Sequence, residues 1–176
     1  MSPYTATIPP KLPLLGIDLG YSATQASCGI ATIDGISESL EFGDCIEWTA
    51  NYLNTNGPHV LILEAVLSTY HNPEGNPANR GDFEKGRGWY HGPGVSTFAA
   101  ALRFLNQLEI HYQGNQTIPL VEGFLSYKPK KTTHADDAKR LVKEFHTAEQ
   151  FVPLPGSQAI LPSIVGVPEI RRYNAP

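Results

Sequence analysis

The chain has 176 residues, which suits a single domain at about 100–200 residues per domain, and 41% of its residues are hydrophobic and 17% charged. This composition excludes a disordered chain, and no apolar run approaches the roughly 18 residues that a membrane span requires. The formal net charge is −4, and the 15 prolines and 16 glycines predict several long loops.

The first residues and the cysteines bear on the compartment of the protein. Residues 1–13 hold four prolines and lack the charged start and the apolar core of a signal peptide. Cys28 and Cys45 show no metal-binding spacing, which favours reduced thiols. We therefore expect a cytoplasmic protein that does not enter a membrane, with residues 1–13 as an extended lead-in to one domain over 1–176.

Charge is distributed unevenly along the chain. Residues 1–79 hold eight acidic residues and one basic residue, whereas residues 80–176 hold twelve basic and nine acidic residues. Six of the twelve basic residues lie between positions 128 and 143. Either this cluster is a solvated helix face with its preceding loop, or Lys128, Lys130 and Lys131 contact the phosphates of a nucleic acid.

Hydrophobic periodicity predicts the secondary structure. Three short segments with strand character come first, at 14–20, 25–34 and 36–42, with a turn at Gly35 between the last two. Gly43 and Asp44 then open a helix that ends at residues 54–58. The apolar spacing further predicts a strand over 59–67, a helix over 95–110, a strand over 117–127 and a helix over 133–147.

The order of these elements predicts an α/β fold. Three antiparallel strands followed by alternating helices and parallel strands give a five-stranded mixed sheet with helices on both faces. Residues 68–94 form a long, polar, glycine-rich loop. Residues 151–176 carry five prolines and an apolar stretch, and we predict that they either strap across the body of the domain or form the arm of a homodimer.

Two carboxylates occupy notable positions in the predicted strands. Asp18 ends the first strand, where a structural role in capping the turn is the alternative, and Glu64 lies inside the fourth. A Glu in a strand that is covered on both faces should be paired or bound to a metal ion, because burial of an isolated charge is costly. If the first and fourth strands are neighbours, both carboxylates reach one crevice at the strand ends.

A further group of polar residues opens the last predicted helix. His134 and Asp137 are three residues apart, so they lie within about 60° of each other on the helix. Asp136 points about 100° away and is predicted to be an exposed charge near the helix N-terminus. A simple capping cluster explains the two acids but not the histidine beside them on a face that continues into apolar residues.

These motifs, GIDLG at 16–20, LE at 63–64 and HADDA at 134–138, resemble those of the RNase H-like superfamily and its RuvC-type resolvase branch. The chain is similar above all to a family of uncharacterised predicted nucleases of that fold, which shares a GNPxxR-like loop, present here at 75–80. The resemblance covers about residues 14–146 and implies an RNase H-like fold. It also implies that Asp18, Glu64 and Asp137 bind metal, with His134 where a fourth acid or a histidine is found.

This set of ligands indicates a reaction. Three carboxylates and a histidine suit Mg²⁺ or Mn²⁺, and two such ions support hydrolysis of phosphodiester bonds in DNA or RNA without a nucleophilic side chain. In the loop at 68–94, Arg80 and Arg87 are candidates to contact phosphates and Trp89 to stack on a base. The alternative is an ordered surface loop whose aromatic residues pack on the body of the domain.

Two other classes of protein compete with a nuclease. The segment GIDLGYSAT at 16–24 is also typical of the phosphate-binding hairpin of the actin and sugar-kinase superfamily, but those enzymes need two duplicated domains. A phosphate-binding loop of the G-x-x-x-x-G-K-[ST] type is absent from the sequence. The second rival is a catalytically silent module of the same fold that binds nucleic acid or protein.

Overall fold

The structure is a computed structural model that describes residues 12–22, 24–65, 93–116, 118–123 and 131–147. Five strands and three helices lie within these ranges. In chain order they are β1 (Leu14–Asp18), β2 (Cys28–Thr32), β3 (Ser37–Leu40), α1 (Phe42–Asn56), β4 (Val60–Glu64), α2 (Pro93–His111), β5 (Leu120–Gly123) and α3 (His134–Thr147).

The five strands form one mixed sheet in the order β3-β2-β1-β4-β5. β1 pairs antiparallel with β2, and β2 pairs antiparallel with β3. β4 lies parallel to β1 on its other side, and β5 lies parallel to β4. The prediction of an α/β protein with a mixed five-stranded sheet is therefore confirmed.

Helices cover the two faces of this sheet. Successive side chains of a strand point to opposite faces, so Leu15 and Ile17 of β1 join α1 and α2 in one apolar cluster. Leu14 of β1 and Ile62 of β4 belong to a second cluster, which α3 covers. Glycine at position 16 allows the second contact, since a Cβ there would lie 2.8 Å from the Ala138 carbonyl oxygen of α3.

The elements begin and end differently from the sequence-based prediction. β1 to β4 are shorter than predicted, and β5 begins at Leu120 rather than at residue 117. Glu64 is the last residue of β4 rather than an internal one. α1 begins at Phe42, which was predicted to end the third strand, because its side chain is buried in the core beneath α1. Gly57, at φ 80°, ends α1 and donates its N–H to the Leu53 carbonyl, as is typical of a C-terminal glycine.

Several predictions concern residues outside the described ranges. They are the predictions of an extended lead-in at residues 1–11, of a loop at 68–92, and of a strap or a dimer arm at 151–176. Among the described helices there is no candidate for a membrane-spanning segment. Cys28 and Cys45 are both buried free thiols, and contact with Cys45 lowers the pKa of Cys28.

Candidate metal centre

The site begins with the two carboxylates at the ends of neighbouring strands. Asp18 and Glu64 are register partners in the parallel pair of β1 and β4. Both lie one step beyond a residue that faces α1 and α2, so both point toward the face that α3 covers. Asp18 is buried and Glu64 is partly buried. The register of the parallel strands β1 and β4 therefore brings these two residues together at the strand ends.

α3 adds His134 to Asp18. The Nδ1 atom of His134 lies 2.7 Å from Oδ2 of Asp18, which fits a hydrogen bond donated by the imidazole to the carboxylate. The Asp18 side chain is far less exposed than that of His134. A carboxylate at the end of β1 and a side chain at the start of α3 thus meet across 116 positions of sequence.

This hydrogen bond also controls the charge of the histidine. Donation to Asp18 raises the pKa of His134 above its usual value, and partial burial opposes the rise. The negative charges of Asp18 and Asp137 raise the pKa further. His134 therefore holds a proton more readily than a solvated histidine does near neutral pH.

Asp137 lies on the same side of α3 and is buried, with 4% of its surface exposed. Its Oδ1 atom accepts a hydrogen bond of 2.7 Å from the hydroxyl of Thr132. Asp137 also acts electrostatically on the His134 ring, as the raised pKa indicates. The structure therefore joins His134 directly to Asp18 and buries Asp137 on the same helix.

Asp136 has a different role at the start of α3. Its Oδ2 atom accepts hydrogen bonds from the backbone N–H and the hydroxyl of Thr133, and the Thr133 hydroxyl accepts one from the Asp136 N–H. This reciprocal pattern is a capping box, which satisfies N–H groups that a helix leaves open at its N-terminus. The prediction that Asp136 is an exposed charge at the helix N-terminus is confirmed.

The sequence analysis did not identify the residues that fix α3 on the sheet. Ser39 accepts a hydrogen bond from the Ala135 N–H, and Ser37 donates one to the Ala135 carbonyl. Gly29 makes room for this contact, because a Cβ at position 29 would overlap the His134 carbonyl. The available signals were serines at alternate positions of a strand and a glycine inside a strand, a common sign of close backbone approach.

The donor atoms match the chemistry of hard divalent cations. Asp18, Glu64 and Asp137 offer carboxylate oxygens and His134 an imidazole nitrogen, all on the face that α3 covers. Within the described residues, however, no group of three or more His, Cys, Asp and Glu side chains is arranged to hold a metal ion. The residues fit Mg²⁺ or Mn²⁺ in type and in the face they share, while Asp18 and Asp137 are engaged with His134 and Thr132.

Most of the predicted nucleic-acid contacts lie outside the described ranges. Arg80, Arg87 and Trp89 lie in the segment that was predicted to be a loop, and Lys128 and Lys130 lie between β5 and α3 in the sequence. Lys131 is described, and it is exposed three residues before α3 begins.

Comparisons of the chain with protein families, with curated proteins and with solved structures found no match.

Proposed function

We propose that this protein is a metal-dependent nuclease with an RNase H-like fold, a hydrolase that cleaves phosphodiester bonds of DNA or RNA. One observation carries the proposal. Asp18 and Glu64 pair in register at the ends of two adjacent parallel strands and point to one face of the sheet. Two partly desolvated carboxylates repel each other in such an arrangement, and a divalent cation between them removes that repulsion.

The arrangement of the sheet supports the RNase H-like part of the proposal. An antiparallel unit of β1, β2 and β3 continues into β4 and β5, which run parallel to β1. The acidic residues come from the ends of β1 and β4 and from the first turn of α3. This is the order in which the motifs of the resemblance occur along the chain.

Asp18, Glu64, His134 and Asp137 would hold the metal, which we propose to be two Mg²⁺ or Mn²⁺ ions. Bound ions of this kind lower the pKa of water and stabilise negative charge on a phosphate during in-line displacement. The protein contributes a rigid placement of the ligands, since Asp18 and Glu64 are fixed by the strand register.

The surrounding side chains orient these ligands. Thr132 donates to Oδ1 of Asp137, which fixes the rotation of the carboxylate. The Nδ1 atom of His134 is bonded to Asp18. Ligation of a metal ion would require a ring nitrogen of His134 without a proton, because a metal ion displaces protons from the atoms that bind it.

The proposed partner is a nucleic acid. Lys131 is exposed next to the start of α3, so it is suited to contact a phosphate close to the site. We propose that Arg80, Arg87, Trp89, Lys128 and Lys130 extend this contact surface. A homodimer formed through residues 151–176 and a cytoplasmic location belong to the same proposal.

A second candidate function is a silent module of the same fold that binds nucleic acid or protein without cleaving it. The observation in its favour is that the side chains described here form no ready metal-binding group. In such a module the bond between His134 and Asp18 is a permanent structural contact. Metal-dependent cleavage separates the two functions.

The test is a cleavage assay on end-labelled single-stranded, duplex and branched DNA and RNA, with Mg²⁺, with Mn²⁺ and with a chelator. We expect cleavage that needs the metal and falls at least about 100-fold in Glu64→Gln, which loses charge stabilisation worth several kcal/mol. Asp44→Asn, which changes an exposed acid in the first turn of α1, is the matched control and keeps full activity. Equal cleavage by Glu64→Gln and the wild type would refute the proposed site.

A further inference from the structure

The helix α2 carries apolar side chains on two opposite sides. Ala101, Phe104 and Leu108 lie in the core, where α2 packs with α1 against the sheet. Val95 and Ile110 lie on the other side of the helix and are 57% and 64% exposed. They are two of the four large hydrophobic side chains that the described residues leave exposed. A helix that is buried on one side normally has a polar opposite side, so the apolar outer side of α2 indicates a further contact.

The residues on the outer side of α2 form one stripe along the helix. Each residue of a helix turns by about 100°, so an arc of about 80° holds Val95, Ala99, Leu102, Asn106 and Ile110. We call these five residues the outer stripe. Ala99 and Asn106 are exposed, and Leu102 is partly buried. The outer stripe extends over about 22 Å, which suits it to packing against a second helix along its length.

Asn106 is the one polar residue of the outer stripe. An asparagine in an otherwise apolar seam between two helices lowers stability but fixes their register, because its amide needs space and hydrogen-bond partners at one defined position. Ala99 lies on the same side of α2, seven residues earlier, and has the smallest side chain of the stripe. A partner helix that carries an amide opposite Ala99 therefore meets no steric obstacle there.

The outer stripe is complementary to itself. Val95 and Ile110 have their midpoint next to Leu102, and Ala99 and Asn106 have the same midpoint. If two copies of α2 pack antiparallel about a two-fold axis at that point, Val95 of one copy faces Ile110 of the other. The small alanine of one copy then faces the amide of the other. Antiparallel packing also places the positive N-terminal end of one helix beside the negative C-terminal end of its partner.

A second copy of the chain suits the outer stripe better than other occupants do. Residues 151–176 hold five prolines, and proline inside a helix breaks it, so this segment supplies no helix as long as the stripe. The five residues of the stripe carry no charge that would attract the phosphates of a nucleic acid. A second α2 has the matching length, the matching apolar side chains and the matching alanine and asparagine.

We propose that the outer stripe is an interface between two copies of this chain, in which their α2 helices pack antiparallel about a two-fold axis near Leu102. Such an interface is isologous, since each copy contributes the same surface. The inference goes beyond the proposed nuclease function and does not depend on it. Because α3 covers the other face of the sheet, the interface leaves His134 and Asp18 open in both copies.

The first experiment measures the mass of the full chain by sedimentation equilibrium over a range of concentrations. We expect a reversible equilibrium between monomer and dimer in the wild type. Ile110→Asp should raise the dissociation constant of the dimer at least about 100-fold, because the two-fold axis places two unpaired carboxylates in an apolar contact. Ile33→Asp, the same change at an exposed isoleucine outside α2, is the matched control and should leave the constant unchanged. Thermal unfolding reports whether each variant is folded.

The second experiment tests the antiparallel order with a short bismaleimide, a reagent that joins two cysteines. An equal mixture of Val95→Cys and Ile110→Cys should form cross-linked dimers, whereas each variant alone should form none. Parallel helices would instead cross-link in each variant alone. Cys28 and Cys45 are buried, so the wild type measures the background reaction.

Each outcome supports or overturns the proposed interface. A wild type that stays monomeric at every concentration would show that the outer stripe does not join two copies. A dimer that is equally stable in Ile110→Asp would assign the contact to another surface, such as residues 151–176. Cross-linking of each single variant alone would refute the antiparallel order. None of these results decides whether the chain cleaves nucleic acid, so this interface and the proposed function are tested separately.

Discussion

Gly29 determines how closely α3 approaches the sheet. Addition of a single methyl group at this position would overlap the His134 carbonyl, which is backbone and has little room to shift. We predict that Gly29→Ala destabilises the fold by about 1–3 kcal/mol and moves His134 away from Asp18. Urea unfolding measures the first effect and a nuclease assay the second.

Gly43→Ala is the control for that substitution. Gly43 lies in α1, and a Cβ there meets no atom within 4 Å. Alanine is the better helix former, so we expect Gly43→Ala to keep full activity and to gain up to about 1 kcal/mol in stability. Equal unfolding free energies for the two variants would show that α3 does not need the close contact at Gly29.

His59 makes the stability of the protein depend on pH. Burial lowers the pKa of His59, and its Nδ1–H donates a 3.0 Å hydrogen bond to the Gly57 carbonyl. In the unfolded chain the neutral imidazole of His59 takes up a second proton near pH 6.5. The contribution of His59 to stability is therefore present above that pH and is lost as pH falls through the lower pKa that His59 has in the folded protein. The pKa of His134 is raised, so its contribution to stability depends on pH in the opposite direction and is lost as pH rises through the folded pKa.

We therefore predict that the free energy of unfolding falls between about pH 7 and about pH 5 less steeply in His59→Asn than in the wild type. The asparagine amide keeps a donor for Gly57 but has no proton to gain. Urea unfolding at several pH values measures the slope. The same slope in both proteins would mean that His59 is not held neutral by burial.

At this scale the sequence predicts some residues of the site and misses others. Asp18 and Glu64 are predictable because a carboxylate at the end of an apolar strand is costly without a role. The pairing of His134 with Asp18 is not, because it depends on how α3 docks on β2 and β3. The roles of Thr132 and Ser39 arise from that same docking.

At the scale of elements, the rotation of α3 about its axis decides which aspartate is buried and which is exposed. Asp137 is buried on the side of the site, whereas Asp136 is part of the capping box with Thr133. We predict that Asp137→Asn lowers metal-dependent cleavage at least about 100-fold, because one ligand charge is lost. Asp136→Asn should keep full activity and lose about 0.3–1 kcal/mol of stability at the helix N-terminus.

Thr132 extends this prediction to a residue that acts through Asp137. Thr132→Val removes the 2.7 Å hydrogen bond to the carboxylate, and loss of such a contact typically costs about 10- to 100-fold in metal affinity or activity. Titration with Mn²⁺ and the cleavage assay together measure it. An inactive Asp136→Asn beside an active Asp137→Asn would show that α3 is rotated from the orientation in which Asp137 is buried and Asp136 exposed.

The type of each element was predictable, but the ends of the elements were not. Periodicity separates helix from strand in long segments, and all eight elements of the described residues were predicted in their observed order. The end of a strand depends on its partner, so β2 stops at Thr32, where its pairing with β1 stops. α1 begins at Phe42, one residue before the glycine that was predicted to open it. The alternation of apolar and polar residues had assigned Phe42 to the preceding strand, but its side chain is buried in the core beneath α1.

At the scale of the whole molecule, the mixed sheet follows from the chain. Short connections between β1, β2 and β3 favour antiparallel neighbours, and a helix before β4 favours a parallel strand. The position of β4 beside β1 is what brings the carboxylates of Asp18 and Glu64 together. No local pattern of residues specifies which strands become neighbours. The sequence therefore suggests that β4 lies beside β1 only if Asp18 and Glu64 are assumed to serve one site.

The proposed nuclease depends on binding of divalent metal ions by the side chains around Asp18 and Glu64. A crystal of the full chain soaked in Mn²⁺ tests this binding through the anomalous difference map at the ends of β1 and β4. We predict peaks within ligand distance of Asp18 and Glu64, at about 2.0–2.6 Å. A map without peaks, with His134 still bonded to Asp18, would mean that these side chains do not form a metal site and would favour the silent module.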